Sequence, residues 1–299
     1  MTHSAPSVHA MNGSPDSFRS WYLHGVSQLS ASGIDDAKTD AWLLMEYAAG
    51  ISHSWYLLHR EEPMHPDAAS KYERLLTERS RHIPLQYLTG QAWFYGNCFS
   101  VTPAVLIPRQ DTETLVEEAE KVLTSGMHIL DMCTGSGCIL LSLLKENPEV
   151  TGTGADLSPE ALDVARANRK ALDIPDERAA FCCGDLFTAL PSGEEYDMIL
   201  SNPPYIRTDV IAGLEPEVRD HEPFQALDGH ENGLYFEEKI ADEARQHFRR
   251  GSDGYLFLEI GYDQGSDMRR TLERLGYRNI RVTKDLGGND RVAGGTFRR

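Results

Sequence analysis

His128-Ile129-Leu130-Asp131-Met132-Cys133-Thr134-Gly135-Ser136-Gly137 reads as a short apolar strand running into a glycine-bearing turn, and an apolar helical stretch over residues 139–145 follows. Glycine lets the backbone turn tightly and approach a ligand closely, while the first N–H groups of the next helix have no partner within it and face outward to an anion. The alternation continues, with strands predicted at residues 151–155, 180–183, 198–200 and 255–260 and helices at 159–171 and 264–275. Such alternation predicts an α/β domain, a mainly parallel sheet with helices on both faces.

Upstream the pattern changes. Ala37, Ala41, Leu44, Met45 and Ala48 form a stripe at helical spacing, with Asp35 and Asp36 as candidate caps and Gly50 as the terminator. Tyr72, Leu75 and Leu76 begin another stripe ahead of Pro84, and no strand signal intervenes, so residues 17–90 are expected to form a small helical bundle. Residues 91–108, with Trp93, Phe94, Tyr95 and Phe99 around Gly96, read as a hairpin linker. Residues 109–299 then carry the α/β domain. Residues 1–16 are rich in Ser, His and Pro without an apolar core, which predicts a disordered tail and neither a signal peptide nor a transit peptide.

Composition narrows the function classes. The 299 residues are 40% hydrophobic and 25% charged, enough for one large domain and a smaller companion. No stretch approaches the roughly 18 consecutive apolar residues of a membrane span. Against 46 acidic residues stand 29 basic ones, a net charge of −17. Nucleic acid is held largely by Lys and Arg on its phosphates, so no direct nucleic-acid partner is expected. Cysteines 98, 133, 138, 182 and 183 are odd in number and include no Cys-x-x-Cys pair. They signal neither a disulfide framework nor a metal site, and the expected setting is a reducing cytoplasm. Cys182 and Cys183, in a predicted strand, read as buried structural thiols.

Three elements in register point to a nucleoside ligand. The turn Asp131 to Gly137 faces an anion, here the carboxylate of a methionine moiety. Asp156, ending the second strand, can accept both hydroxyl hydrogens of a ribose. After the third strand, Asp185 can accept from an adenine amino group while Leu186 and Phe187 flank the ring. A nicotinamide cofactor competes, but Gly135-x-Gly137 lacks the third glycine of the dinucleotide fingerprint.

The fourth strand ends in Asn202-Pro203-Pro204-Tyr205. Two prolines fix φ and remove their own N–H groups, leaving rigid carbonyls with few local partners. A planar NH2 has two hydrogens to donate, and the Asn202 side-chain oxygen and the Pro203 carbonyl can take one each. Tyr205 offers an aromatic face for a flat group. A nitrogen so held can attack a sulfonium methyl in line, with alignment supplying most of the acceleration.

These motifs together resemble the class I, Rossmann-like methyltransferases that act on planar nitrogens. Ile83-Pro84-Leu85-Gln86-Tyr87-Leu88-Thr89-Gly90 and Leu106-Ile107-Pro108-Arg109-Gln110-Asp111-Thr112-Glu113 narrow the resemblance to the release factor glutamine methyltransferase family. Further similarity lies in Ala226-Leu227-Asp228-Gly229, Leu258-Glu259-Ile260-Gly261 and Asp285-Leu286-Gly287-Gly288-Asn289-Asp290-Arg291, so it runs from about residue 17 to the end. The resemblance implies S-adenosylmethionine as cofactor, contacted by Asp131, Cys133, Thr134, Gly135, Ser136, Gly137, Asp156, Asp185, Leu186 and Asn202. It implies as substrate the glutamine of the Gly-Gly-Gln loop of class I peptide chain release factors. Asn202, Pro203 and Tyr205 would be catalytic, and Pro204, Phe99 and Arg109 would join them in binding the substrate. The helical bundle would help recognise the release factor. Cys133 stands where a glycine is common, Leu186 where an aromatic is frequent and Gln110 where a proline often follows the arginine.

Adenine also presents a planar NH2 to such a tetrapeptide, so a DNA adenine-N6 methyltransferase is the alternative; it would need base flipping and a basic groove, against the net charge of −17. A glutamine methyltransferase of a ribosomal protein shares the chemistry, and the segment Arg109 to Glu113 favours release factors over it. A cofactor-binding scaffold without activity is the remaining class, opposed by the intact tetrapeptide.

Overall fold

The computed structural model describes residues 16–299, so the expected tail lies, apart from Asp16, outside the described residues. Contacts divide the chain into a first unit ending at Thr89 and a second spanning Gly90–Arg299.

The first unit is helical: α1 (Phe18–Ala31), α2 (Ala37–Ala49), α3 (His53–His59), α4 (Pro66–Arg79) and α5 (Leu85–Thr89). Local chemistry sets the helix ends. The Ser17 and Ser52 hydroxyl oxygens accept the N–H groups of Ser20 and Trp55, both at 3.2 Å, which caps α1 and α3. Pro66 opens α4, where its missing N–H has no intrahelical partner to lose. Gly50 ends α2 at φ 65 and donates its N–H to the Glu46 carbonyl at 2.8 Å. Asp36 holds the N-cap position of α2, but its side chain makes no capping bond. Ala37, Ala41, Leu44 and Met45 pack with Tyr72, Leu75 and Leu76 into one core, and Ala48 is only partly buried against it. A buried Arg79–Asp40 ion pair at 2.7 Å ties α4 to α2.

The second unit begins with the hairpin β1 (Gln91–Phe94) and β2 (Asn97–Ser100), then α6 (Glu113–Glu120), β3 (His128–Met132), α7 (Cys138–Glu146), β4 (Thr151–Asp156), α8 (Pro159–Ala171) and β5 (Ala179–Cys183). It continues with β6 (Met198–Ser201), α9 (Thr208–Ile211), α10 (Pro216–His221), α11 (Tyr235–Ala244), β7 (Asp253–Glu259), α12 (Gly265–Arg274), β8 (Arg278–Lys284) and β9 (Asp290–Arg298). Among the described residues, seven strands form one Rossmann-like sheet in the order β5-β4-β3-β6-β7-β9-β8. The first five are parallel, and β9 runs antiparallel to both of its neighbours.

Period-two alternation distributes the strand residues between two cores. Ile129, Met198 and Leu200 join one with the α6 and α7 side chains, while Leu130, Met132 and Ile199 join the other with those of α11 and α12. The chain lays down β3, β4 and β5 outward and then returns to place β6 on the opposite side of β3. At such a reversal the carboxyl ends of the strands open a crevice.

Three expectations need correction. Cys182 and Cys183 are not buried thiols: β5 is the edge of the sheet, Cys182 is half-buried and Cys183 is exposed. Phe99 does not line the site. It is 0% exposed and packs edge-on against Phe94, with ring centroids 6.1 Å apart, in the core that holds Leu115 and Ile139. The hairpin is thus part of the second unit rather than a linker ahead of it. Phe99→Leu is expected to cost about 1 kcal/mol of stability and to leave turnover unchanged; thermal melting and an activity assay check the two halves.

Candidate active site

The carboxyl ends of β3, β4 and β6 meet around a cavity of about 520 Å³, within the roughly 300–1,000 Å³ typical of small-molecule sites. After β3 the backbone turns through Cys133 (φ 59), Gly135 (φ 53) and Gly137 (φ 79). For Cys133, with a Cβ, this left-handed conformation costs about 1–2 kcal/mol, a cost that a glycine there would avoid. Cys133, Thr134, Gly135 and Ser136 line the cavity.

Asp131 and Gly137 stand behind the wall instead of in it. Asp131 is fully buried, and its Oδ2 accepts the Thr134 hydroxyl at 2.5 Å, so it pins the turn from below rather than contacting a ligand. Burial pushes its carboxyl up to about 7. A Cβ on Gly137 would lie 3.0 Å from Leu141 Cδ1 and 3.3 Å from Ala165 Cβ. Its glycine serves the packing of α7 against α8.

Asp156 ends β4 and joins two loops: Oδ2 accepts the Gly135 N–H at 2.8 Å and Oδ1 the Ser158 N–H at 2.9 Å. Burial raises its pKa, and the N–H groups of Ser158, Gly135 and Leu157 oppose the rise. Asp185, mostly exposed, lies 3.5 Å from Lys239. Leu186 is buried at φ 47, and both residues line the cavity.

Of the tetrapeptide, Asn202 and Pro204 form part of the cavity wall, whereas Pro203 and Tyr205 do not. Asn202 Nδ2 donates to Thr112 Oγ1 at 3.2 Å, which leaves its Oδ1 as an acceptor. The Pro203 carbonyl receives no hydrogen bond from the described residues. The Tyr205 hydroxyl donates to Glu259 Oε1 at 3.1 Å, and burial raises its pKa. Arg109 lines the rim and pairs with the buried Glu222 at 2.6 Å.

Beneath the tetrapeptide lies a network to which sequence reading assigned no role. Glu259 is 1% exposed, and its Oε2 has no hydrogen-bond partner among the described residues. Burial pushes it up to about 7, opposed by the Thr112 hydroxyl, Arg291 and the Tyr205 hydroxyl. Arg291, on β9, donates to the Tyr205 hydroxyl at 3.4 Å and pairs with Asp285 at 3.0 Å and Asp111 at 3.2 Å. The available signal was an acid inside the apolar run Tyr255-Leu256-Phe257-Leu258-Glu259-Ile260. Among the described residues, no group of three or more His, Cys, Asp or Glu is placed to hold a metal ion.

Comparison with known proteins follows the same division of the chain. Residues 20–90 match the PrmC N-terminal domain and residues 110–212 the methyltransferase small domain. A release factor glutamine methyltransferase of Cereibacter sphaeroides is 41% identical over 89% of this chain and 94% of its own length. One of Salmonella typhimurium is 38% identical over 94% of this chain and 99% of its own. The solved protein-(glutamine-N5) methyltransferase (release factor-specific) of Alicyclobacillus acidocaldarius is 32% identical, with a TM-score of 0.40, over 67% of this chain and 100% of that one. With relatives this similar over nearly their whole length, the chain belongs to the release factor glutamine methyltransferase family.

Proposed function

We propose that this protein is a protein-(glutamine-N5) methyltransferase that transfers a methyl group from S-adenosylmethionine to the glutamine of the Gly-Gly-Gln loop of class I peptide chain release factors. Bound cofactor supplies an electrophilic methyl on a sulfonium sulfur. The cavity fits it: Asp156 presents a carboxylate for ribose hydroxyls at the end of β4, and the turn Cys133 to Ser136 provides backbone for the methionine moiety. Asp185 and Leu186 sit where an adenine amino group and ring would be met.

The observation that carries the reading is Asn202. With Nδ2 engaged by Thr112, Oδ1 is an acceptor on the cavity wall. Oδ1 takes one hydrogen of a primary amide, and the Pro203 carbonyl takes the other. Both bonds draw the nitrogen lone pair out of conjugation and stabilise positive charge developing on it. The proton leaves after attack, so no strong base is needed beforehand. Tyr205, held by Glu259, keeps the end of the tetrapeptide in place. The helical unit contributes recognition of the release factor, and the reaction takes place in the cytoplasm.

The test uses labelled cofactor with a release factor whose Gly-Gly-Gln glutamine is intact or replaced. Label is expected on the intact factor alone. Equal labelling of both, or transfer to DNA in their place, overturns the assignment.

A further inference from the structure

Thr112 and Glu259 are the buried polar groups next to the reaction centre whose purpose glutamine methylation alone leaves unexplained. A hydroxyl has one hydrogen. If Thr112 Oγ1 accepts from Asn202 Nδ2, its own hydrogen must go to another acceptor. The Glu259 carboxyl is the group it faces: Oε1 holds the Tyr205 hydroxyl, and Oε2 is buried without a partner among the described residues. An ionised carboxylate only accepts, so the chain of bonds can run in one direction only, from Asn202 to Thr112 to Glu259. That direction leaves Oδ1 of Asn202 facing the cavity. A reversed amide would present NH2 to the NH2 of the substrate, donor against donor.

We propose that Glu259, acting through Thr112, fixes which end of the Asn202 amide faces the cavity, and that both are positioning residues for the methyl transfer. The inference rests on the proposed glutamine methylation. The same carboxylate holds Tyr205 directly, so one buried anion orients both ends of the tetrapeptide. Burial works against its charge, while the Thr112 hydroxyl, Arg291 and the Tyr205 hydroxyl work for it. Arg291 approaches from β9, and the like-charged Asp111 beside Thr112 is itself paired with that arginine. The Cys138 thiol is a further titratable neighbour, and burial holds it neutral by raising it to about 12. Once protonated, Glu259 can donate to Thr112, which frees the hydroxyl to donate to Asn202 and removes the direction from the chain. The relay is therefore assembled above about pH 7 and lost as pH falls through that value.

The experiment is a double-mutant cycle on the full chain with release factor as acceptor. Thr112→Val is expected to lower kcat by about 10- to 100-fold, with KM and calorimetric cofactor affinity within about twofold. Thr112→Ser restores kcat to within about threefold, because it retains the hydroxyl. In an Asn202→Ala background, Thr112→Val has no further effect. Glu259→Gln lowers kcat and abolishes its decline below about pH 7. Losses that multiply in the double variant, a serine as slow as the valine, or an unchanged pH profile in Glu259→Gln overturn the proposal. An arm independent of turnover follows hydrogen exchange of the Asn202 side-chain amide by NMR. Protection is expected in the unsubstituted protein and its loss in Thr112→Val and Glu259→Gln; protection that survives both substitutions overturns the relay. A wrong acceptor would show as absent labelling of the release factor by the unsubstituted protein, whereas a wrong relay shows only in the variants.

Discussion

Asn202→Ala is expected to lower kcat for methyl transfer by about 10³-fold, comparable to removing one preorganised hydrogen-bond partner of a transition state. The alanine takes away an oxygen whose position is set twice, by the fixed φ of Pro203 behind it and by Thr112 at its nitrogen. An incoming amide would then be held only by the Pro203 carbonyl and would keep its nitrogen lone pair conjugated. Cofactor affinity is expected to change far less, because the turn after β3 and Asp156 retain their bonds. Single-turnover kinetics with saturating cofactor separates the two effects. A variant turning over at the normal rate would refute the role given to Asn202.

Asp156→Ala is expected to act on the other quantity, weakening cofactor affinity by about 100-fold, some 2–3 kcal/mol for hydrogen bonds made to a charged group. Two causes combine. The ribose acceptor disappears, and so do the bonds that hold the Gly135 and Ser158 N–H groups, so both loops lose their common tether. Asp156→Asn tells the causes apart. An asparagine keeps one acceptor oxygen for the loops but cannot accept from two N–H groups and two hydroxyls together. Calorimetry of cofactor binding should rank the three proteins with alanine weakest and asparagine between. Unchanged affinity in Asp156→Ala counts against the ribose assignment.

The legible parts of this chain are those where local sequence and tertiary role coincide. Residues 128–132 and 159–171 form strand and helix as read, since an apolar run before glycine, or Ser-Pro ahead of an amphipathic stretch, admits few other structures. Residues 208–221 carry no legible helix signal because α9 and α10 are too short for a full helical stripe. The insertion of β9 between β7 and β8 was hidden as well, since strand order rests on pairings far apart in sequence. The site divides in the same way. Asn202, Asp156 and the turn after β3 sit at strand ends, where the fold class itself predicts ligands. Thr112, Glu259 and Arg291 come from three distant segments and acquire a purpose only when the sheet brings them together. Phe99 illustrates the converse error: the resemblance implies a substrate contact there, while β1–β2 pairing turns the ring into the core.

The hairpin decides where this chain can be cut. Phe94 and Phe99 belong to the core that holds Leu115 and Ile139, and Asn168 on α8 bonds the Ser100 backbone in both directions, at 2.7 and 3.0 Å. A catalytic fragment beginning at residue 109 would carry the turn after β3, the tetrapeptide and every strand of the large sheet, yet would lose two aromatic members of its core and the Ser100 partners of Asn168. The natural seam lies ahead of Gly90, and an excised catalytic module has to keep the hairpin with it.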